Sequence, residues 1–111
     1  MMYEYKANVC SVYDADTIRV DIDLGCGVWL RNEPLRLFGI NAPELRGPER
    51  PEGLASRDFM RGLLPAGREI VIRTVKDKKG KFGRYLATVL RDGENLNDLL
   101  VAEGYAEARE Y

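Results

Sequence analysis

Short alternating runs of hydrophobic and polar residues dominate the first forty positions of the chain. At positions 17–24, isoleucine, valine or leucine occupies every second position, mostly with charged residues between them. This two-residue period is typical of a half-buried strand. Positions 3–13 alternate more loosely, and positions 28–40 are rich in β-forming residues. Because Gly25-Cys26-Gly27 is a turn signal, the pattern predicts three strands in a meander by residue 40.

The rest of the chain mixes helix and strand signals. Residues 41–53 contain three prolines and are expected to form a loop. Residues 54–64 carry apolar side chains at helical spacing before Pro65 and Gly67, which predicts a helix. The remaining predicted elements are a strand at 68–75, a solvated lysine-rich connector at 76–81, a strand at 85–90, and a short helix capped by Asn95 and closed by Gly104.

Five short strands with a helix after the third are typical of a small Greek-key barrel. We therefore expect a mainly β fold with helices (α+β): a five-stranded OB-fold barrel with two or three short helices. A length of 111 residues suits one domain spanning residues 1–111.

Composition narrows the possible chemistry. The formal net charge of −1 weighs against an extended nucleic-acid surface, but less against an enzyme that grips one or two phosphates. The sequence has no histidine, which excludes Ser-His pairs, histidine bases and histidine-ligated zinc. Cys10 and Cys26 lack C-x-x-C spacing. Either can be a small buried residue, and a disulfide between them stays open.

No apolar run approaches the roughly 18 residues that a membrane span needs. The N-terminus has no basic region followed by an apolar stretch. We expect a cytoplasmic protein, or a secreted one whose signal peptide was removed. The sequence indicates neither a membrane association nor an obligate protein partner.

Acidic residues form two candidate groups. Asp14 and Asp16 stand two residues apart before a strand, where both carboxylates can face one hard cation. The alternative is a simple turn stabilised by aspartate. In Asn41-Ala42-Pro43-Glu44, the proline restricts its neighbours, so a carbonyl and the following carboxylate are aimed in fixed directions. The alternative for Glu44 is an exposed loop residue.

Two well-separated arginines complete the candidate chemistry. Arg36 lies in an apolar strand and Arg84 at the start of the last predicted long strand. A guanidinium binds phosphate through a planar fork and stays charged at any working pH. The alternatives are an exposed strand arginine and the end of a basic surface face.

Together these segments resemble the staphylococcal nuclease family over most of the chain. The matching motifs are Asp14-x-Asp16-Thr17, Arg36-Leu37-x-Gly39-Ile40-x-Ala42-Pro43-Glu44 and Gly83-Arg84-x-Leu86-Ala87, with Asn97, Leu100 and Gly104 in the last helix. The resemblance implies an OB barrel and a Ca²⁺-dependent phosphodiesterase that cuts DNA and RNA and leaves 3′-phosphate and 5′-hydroxyl ends.

The resemblance also implies a Ca²⁺ site. Asp16 would be a direct ligand and Asp14 a near neighbour of the ion. Asn41 and the backbone carbonyl of Ala42 would be further ligands. The family's well-known secreted member has an aspartate at the position of Asn41, so we expect weaker Ca²⁺ binding here, because affinity follows ligand charge.

The catalytic roles follow from the same resemblance. Glu44 would act as general base or position the attacking water, and Arg36 and Arg84 would clamp the phosphate. Such roles are physically coherent and need no histidine. The competing hypothesis is a catalytically weak or inactive domain that binds nucleic acid or a protein, which Asn41 and the acidic balance favour.

Overall fold

The computed structural model describes residues 2–79 and 84–109. Its strands are β1 (Met2–Asp14), β2 (Thr17–Gly25), β3 (Val28–Leu37), β4 (Ile40–Asn41), β5 (Glu69–Lys79), β6 (Tyr85–Arg91), β7 (Glu94–Asn95) and β8 (Glu107–Ala108). Its helices are α1 (Arg50–Leu63), which follows a 3₁₀ turn at Gly47–Glu49, and α2 (Leu96–Ala102).

Five strands close into a barrel. Antiparallel pairing gives the order β3-β2-β1-β5-β6. A short parallel pairing of β3 with β6 then joins the two ends, with Leu35 opposite Tyr85, Arg36 opposite Leu86 and Leu37 opposite Ala87. We call this pairing the closing seam. The predicted mainly β fold with helices and a five-stranded OB-type barrel is confirmed.

The barrel is filled by the alternating side chains that predicted its strands. Ile18, Val20 and Ile22 on β2 are at most 2% exposed, because every second residue of a strand faces the same side. Leu35 and Leu37 on β3 are fully buried. Met60 of α1 and Leu100 of α2 close the barrel ends as part of the same core.

Two β-bulges interrupt the pairing of β1 with β2. The paired positions advance two residues along β1 for one along β2, once across Cys10 and once across Tyr13. A bulge inserts an extra residue and changes the direction in which nearby side chains point. Tyr13 is exposed as a result, while its neighbour Val12 is buried.

The side chain of Asn97 in α2 forms hydrogen bonds to the backbone next to the closing seam. Its Oδ1 accepts from the backbone N–H of Val89 at 3.0 Å, and its Nδ2 donates to the carbonyls of Phe38 at 2.9 Å and Ala87 at 3.1 Å. The side chain is 3% exposed. Three buried backbone groups around β3 and β6 are thereby satisfied by one amide.

The predicted start of the first helix was wrong. A loop was expected through residue 53, but β4 and a 3₁₀ turn interrupt that stretch and α1 begins at Arg50. Pro51 lies in the first turn of the helix, where a missing backbone N–H costs nothing because no intrahelical acceptor exists there. The prolines were therefore helix-start signals as well as loop signals.

The lysine-rich connector was also misjudged in part. β5 continues through Lys79, which lies opposite Tyr85 of β6 after a register shift. Main-chain ladder bonds do not depend on side-chain polarity, so the lysines do not end the strand. Residues 80 and 81, the end of the expected connector, lie outside the described residues. The run at 28–40 is likewise split, since β3 ends at Leu37 and Gly39 turns the chain with a φ of 82°.

Both cysteines are free thiols, Cys10 half-buried and Cys26 exposed. Within the described ranges, no helix combines the length and the hydropathy that crossing a membrane would require.

Candidate active site

A cleft of about 740 Å³ opens at one end of the barrel and collects all seven predicted site residues. They are Asp14, Asp16, Arg36, Asn41, Ala42, Glu44 and Arg84. The residues come from the β1–β2 turn, the β3–β4 region, the segment before α1 and the start of β6. The structure brings them together, and their individual roles stay predictions.

The two aspartates form a turn that also faces the cleft. Asp14 Oδ1 accepts from the backbone N–H of Asp16 at 3.0 Å, which is the side-chain-to-backbone bond that favours aspartate in turns. Burial, together with the neighbouring Asp16 carboxylate, raises the pKa of Asp14 to about 7. The turn interpretation therefore holds for the local geometry without separating these carboxylates from the cleft.

Asp16 is buried, at 8% exposure, and contacts three polar neighbours. Its Oδ2 accepts from the backbone N–H of Ala42 at 2.8 Å and lies 3.4 Å from Arg36 Nη1. Its Oδ1 accepts from the Thr17 hydroxyl at 3.1 Å. One carboxylate thus links the turn after β1 to β3 and to the chain just after β4.

Arg36 is buried at 9% exposure despite its charge. Nη1 donates to the carbonyl of Leu37 at 3.0 Å, and Nη2 donates to Asn41 Oδ1 at 2.6 Å. The Asp16 carboxylate balances the charge, as a buried guanidinium requires. The alternative of an exposed strand arginine is therefore wrong.

Asn41 is held between two guanidiniums. Besides Arg36, it accepts from Arg109 Nη1 at 3.4 Å. The pairing of β4 with β8 places Arg109 there, because Asn41 lies opposite Glu107 and the Arg109 N–H donates to the carbonyl of Gly39 at 2.7 Å. Sequence reasoning missed Arg109, since nothing local signals a pairing across 68 positions.

Arg84 reaches the site through Thr17. Its Nη1 donates to Thr17 Oγ1 at 3.3 Å, and Thr17 donates in turn to Asp16. Thr17 was part of the sequence motif without an assigned role. The hydroxyl connects the two arginines, Arg84 and Arg36, through the Asp16 carboxylate.

Glu44 is exposed at the rim of the cleft. Its backbone N–H donates to Glu49 Oε1 at 3.3 Å. Gly53 of α1 packs beneath it so closely that a Cβ there would lie 2.2 Å from the Glu44 carbonyl oxygen and 3.0 Å from that of Pro43. A glycine in a helix is costly, and that cost was the available sequence signal for this close approach.

Six carboxylates and three guanidiniums line the cleft among the described residues. The carboxylates are Asp14, Asp16, Glu44, Glu49, Glu52 and Glu107, and the guanidiniums are Arg36, Arg84 and Arg109. Acidic side chains therefore outnumber basic ones in the cleft, and the pKa of Asp14 is raised. In residues 2–79 and 84–109, no three acidic or cysteine side chains meet as a metal cluster.

Two tyrosines also line the cleft. Tyr105 stacks on Phe59 of α1, with ring centroids 4.2 Å apart and an 18° angle between planes. Tyr13 is 58% exposed. Gly83 of the third motif, together with Phe82 and Tyr111, lies outside the described residues.

Known proteins resemble this chain over most of its length. The thermonuclease of Staphylococcus hyicus is 32% identical across 97% of this chain and 62% of its own. The thermonuclease of Staphylococcus intermedius is 33% identical across 90% of this chain and 57% of its own. Endonuclease YhcR of Bacillus subtilis (strain 168) is 28% identical across 93% of this chain and 9% of its own. The chain therefore spans less than two thirds of the length of each of these relatives.

The family model described as staphylococcal nuclease homologue matches residues 34–111, which include the end of β3, Arg36, Glu44 and Arg84. That match covers well over half of the chain and agrees with the closed five-stranded barrel. The chain belongs to the staphylococcal nuclease family.

Proposed function

We propose that residues 1–111 form a single nuclease domain that hydrolyses phosphodiester bonds of DNA or RNA with Ca²⁺ as its cofactor. The products would carry 3′-phosphate and 5′-hydroxyl ends. Membership of the staphylococcal nuclease family and similarity to two thermonucleases and an endonuclease support nuclease activity.

One observation carries the proposal furthest. Arg36 and Arg84 face the same cleft and are joined by hydrogen bonds and an ion pair through Thr17 and Asp16. Two fixed guanidiniums beside a carboxylate such as Glu44 form the set that phosphoryl transfer to water requires. Arg36 Nη2 already donates to Asn41 Oδ1, so the amide helps to orient the guanidinium.

The donor set fits a hard cation. Asp16 and Asp14 offer carboxylate oxygens, which Ca²⁺ prefers, and the acidic excess of the cleft favours positive charge. The Asn41 oxygen would join them only by giving up its bonds to Arg36 and Arg109. The Ala42 carbonyl would be a further ligand. A divalent ion held there would polarise a phosphoryl oxygen and lower the pKa of a bound water.

The protein's own groups would perform the remaining tasks. Arg36 and Arg84 would bind the phosphate and stabilise negative charge that grows on its oxygens in the transition state. Glu44, exposed and rigidly placed between Pro43 and Gly53, would orient the attacking water and take its proton. The leaving 5′ oxygen would gain a proton to become the hydroxyl end.

A second candidate is a domain that binds nucleic acid or a protein with little or no cutting. Arg36 donates to Asn41 at 2.6 Å, so its Nη2 is already engaged where a phosphate would bind. A neutral amide also adds no charge to a cation site. This candidate predicts binding without turnover.

Digestion of a plasmid and of labelled oligonucleotides, with Ca²⁺ or with a chelator, separates the two candidates. The nuclease proposal expects cleavage that needs Ca²⁺ and ends that a kinase can phosphorylate at the 5′ position without prior phosphatase. The Glu44→Gln variant should lower kcat by about 10² to 10⁴ while leaving KM nearly unchanged. Glu103→Gln, an equal charge change at an exposed site on the C-terminal side of α2, is the control.

Binding of the oligonucleotide without cleavage at saturating Ca²⁺ would reject the nuclease proposal in favour of the second candidate. Equal rates for the parent and Glu44→Gln would remove Glu44 from the mechanism.

A further inference from the structure

Tyr13 is the most exposed large hydrophobic side chain in the described part of the chain, at 58%. It lines the same cleft as Arg36, Arg84 and Glu44. None of the steps above uses it. An aromatic ring open to solvent beside phosphate-binding groups requires its own explanation, since buried rings contribute more to stability than exposed ones.

The backbone directs this ring into the cleft. Tyr13 is the extra residue of the second bulge in β1, directly before the Asp14 turn. Bulges beside functional sites re-aim side chains in this way. Arg61 of α1 fixes the position, because its Nε and Nη2 both donate to the carbonyl of Val12, at 3.2 and 3.1 Å.

The other tyrosine of the cleft, Tyr105, already stacks on another ring. Tyr105 is half-buried and one face of its ring is covered by Phe59 at 4.2 Å. Tyr13 has no such ring contact among the described residues. Of the two rings, Tyr13 is the one with a face available to a ligand.

A nucleotide offers a matching pair of groups, an anionic phosphate and a flat base. Nucleic-acid-binding proteins combine cationic grooves with aromatic side chains on which bases stack, and such stacking tolerates any sequence. We propose that Tyr13 is a nucleobase-stacking subsite that holds the base of a nucleotide adjoining the phosphate at Arg36 and Arg84. The proposal rests on the nuclease function proposed above and names a further substrate contact for it.

Cleavage kinetics on a single-stranded oligonucleotide with one scissile linkage test the subsite. Tyr13→Ala should lower kcat/KM by about 5- to 150-fold, the range that loss of one base stack gives. Tyr13→Phe should stay near the parent, because stacking needs the ring and not the hydroxyl. Tyr13→Leu should behave as the alanine variant while keeping a bulky side chain. Tyr3→Ala is the matched control, since Tyr3 lies on the same strand, is 43% exposed and does not line the cleft.

Abasic substrates distinguish stacking from a structural effect. The oligonucleotide is made with the base removed from one nucleotide beside the scissile linkage, on each side in turn. On one of these two abasic substrates, the kcat/KM of the parent should fall by about the same factor as Tyr13→Ala lowers it on the intact substrate. The kcat/KM of Tyr13→Ala should be no lower on that abasic substrate than on the intact one. Equal additional losses for parent and variant on both substrates would overturn the proposal, as would unchanged kinetics for Tyr13→Leu and Tyr13→Ala.

Failure of the subsite and failure of the nuclease proposal give different results. A parent that cleaves, with variants that match it on every substrate, rejects Tyr13 alone. A parent that does not cleave rejects the nuclease function. The same variants are then compared by fluorescence anisotropy with the labelled oligonucleotide, where unchanged binding, or no binding by the parent, rejects the subsite too.

Discussion

The guanidinium groups of Arg84 and Arg36 differ in burial and in the neighbours that they contact. Arg36 is buried and already serves Asp16, Asn41 and the Leu37 carbonyl, whereas Arg84 is half-buried and reaches Thr17. Loss of the Arg36 guanidinium would disturb both the folded structure and the proposed phosphate contact. Arg84 is therefore the better position for testing the phosphate contact alone.

Arg84→Lys should lower kcat/KM by about 10² to 10³, the effect of losing one transition-state donor. An ammonium keeps the charge but cannot form a forked contact with phosphate. Steady-state kinetics with Arg73→Lys as control measure this, because Arg73 pairs with Glu4 outside the cleft. Equal turnover in both variants would show that Arg84 does not touch the phosphate.

At the scale of elements, Gly53 of α1 packs against the backbone of Pro43 and Glu44. Gly53→Ala should push the Glu44 carbonyl aside, because the new Cβ would lie 2.2 Å from it. We expect a fall in kcat of about ten-fold or more, since small displacements of a catalytic group are costly, together with some loss of stability.

Gly62→Ala is the matched control for that prediction. It lies on the same helix and its added Cβ would meet nothing within 4 Å. It should raise stability by about 0.5–1 kcal/mol, because alanine is the better helix former, and leave kcat unchanged. If Gly53→Ala keeps the parent's kcat, α1 does not position Glu44 in the way inferred here.

Asp21 holds a distorted stretch of β3. Its Oδ1 accepts from the Asn32 N–H at 2.8 Å, and Asn32 has a φ of 52°. This bond, together with Arg31, lowers the pKa of Asp21 below its ordinary value of 3.8. The folded state therefore binds the proton less readily than the unfolded chain, and stability from Asp21 is lost as the pH falls through that lowered pKa.

Asp21→Asn should accordingly be less stable than the parent at pH 7. The difference in unfolding temperature between the two proteins should become smaller below about pH 4. Thermal unfolding of both proteins from pH 2.5 to 7 measures it. If the difference in unfolding temperature stays constant with pH, the charge of the Asp21 carboxylate does not contribute to stability.

Elements were predictable where a local pattern decides them. The alternation in β2 and the helical spacing in α1 arise from side-chain burial, so the centres of both follow from sequence. The start of α1 at Arg50 has no side-chain cap to mark it, only a proline in the first turn. The length of β5 depends on a partner strand, which no local pattern contains. The contacts of Asn41 with Arg109 and of Glu44 with Gly53 arise only from tertiary packing.

At the scale of the whole molecule, we expect the stability of the barrel to depend on the closing seam and on the hydrogen bonds that Asn97 forms beside it. Asn97→Ala removes three hydrogen bonds to buried backbone groups and should cost about 2–4 kcal/mol of unfolding free energy. Asn95→Ala, which removes only the α2 cap that accepts from Asp98, should cost about 1 kcal/mol. Urea unfolding of both variants compares them, and equal losses would contradict a special role for Asn97.

The seam also brings the two arginines together. Leu35 pairs with Tyr85 about fifty positions away, so joining β3 to β6 carries a cost in loop-closure entropy. Arg36 belongs to this pairing and Arg84 directly precedes it, so a half-folded chain has both arginines but no phosphate site. A phosphate bound by both side chains binds the closed barrel alone, and mass action then favours closure. Substrate would therefore act as a reversible cross-link across the closing seam, and nucleic acid would slow the protein's own unfolding.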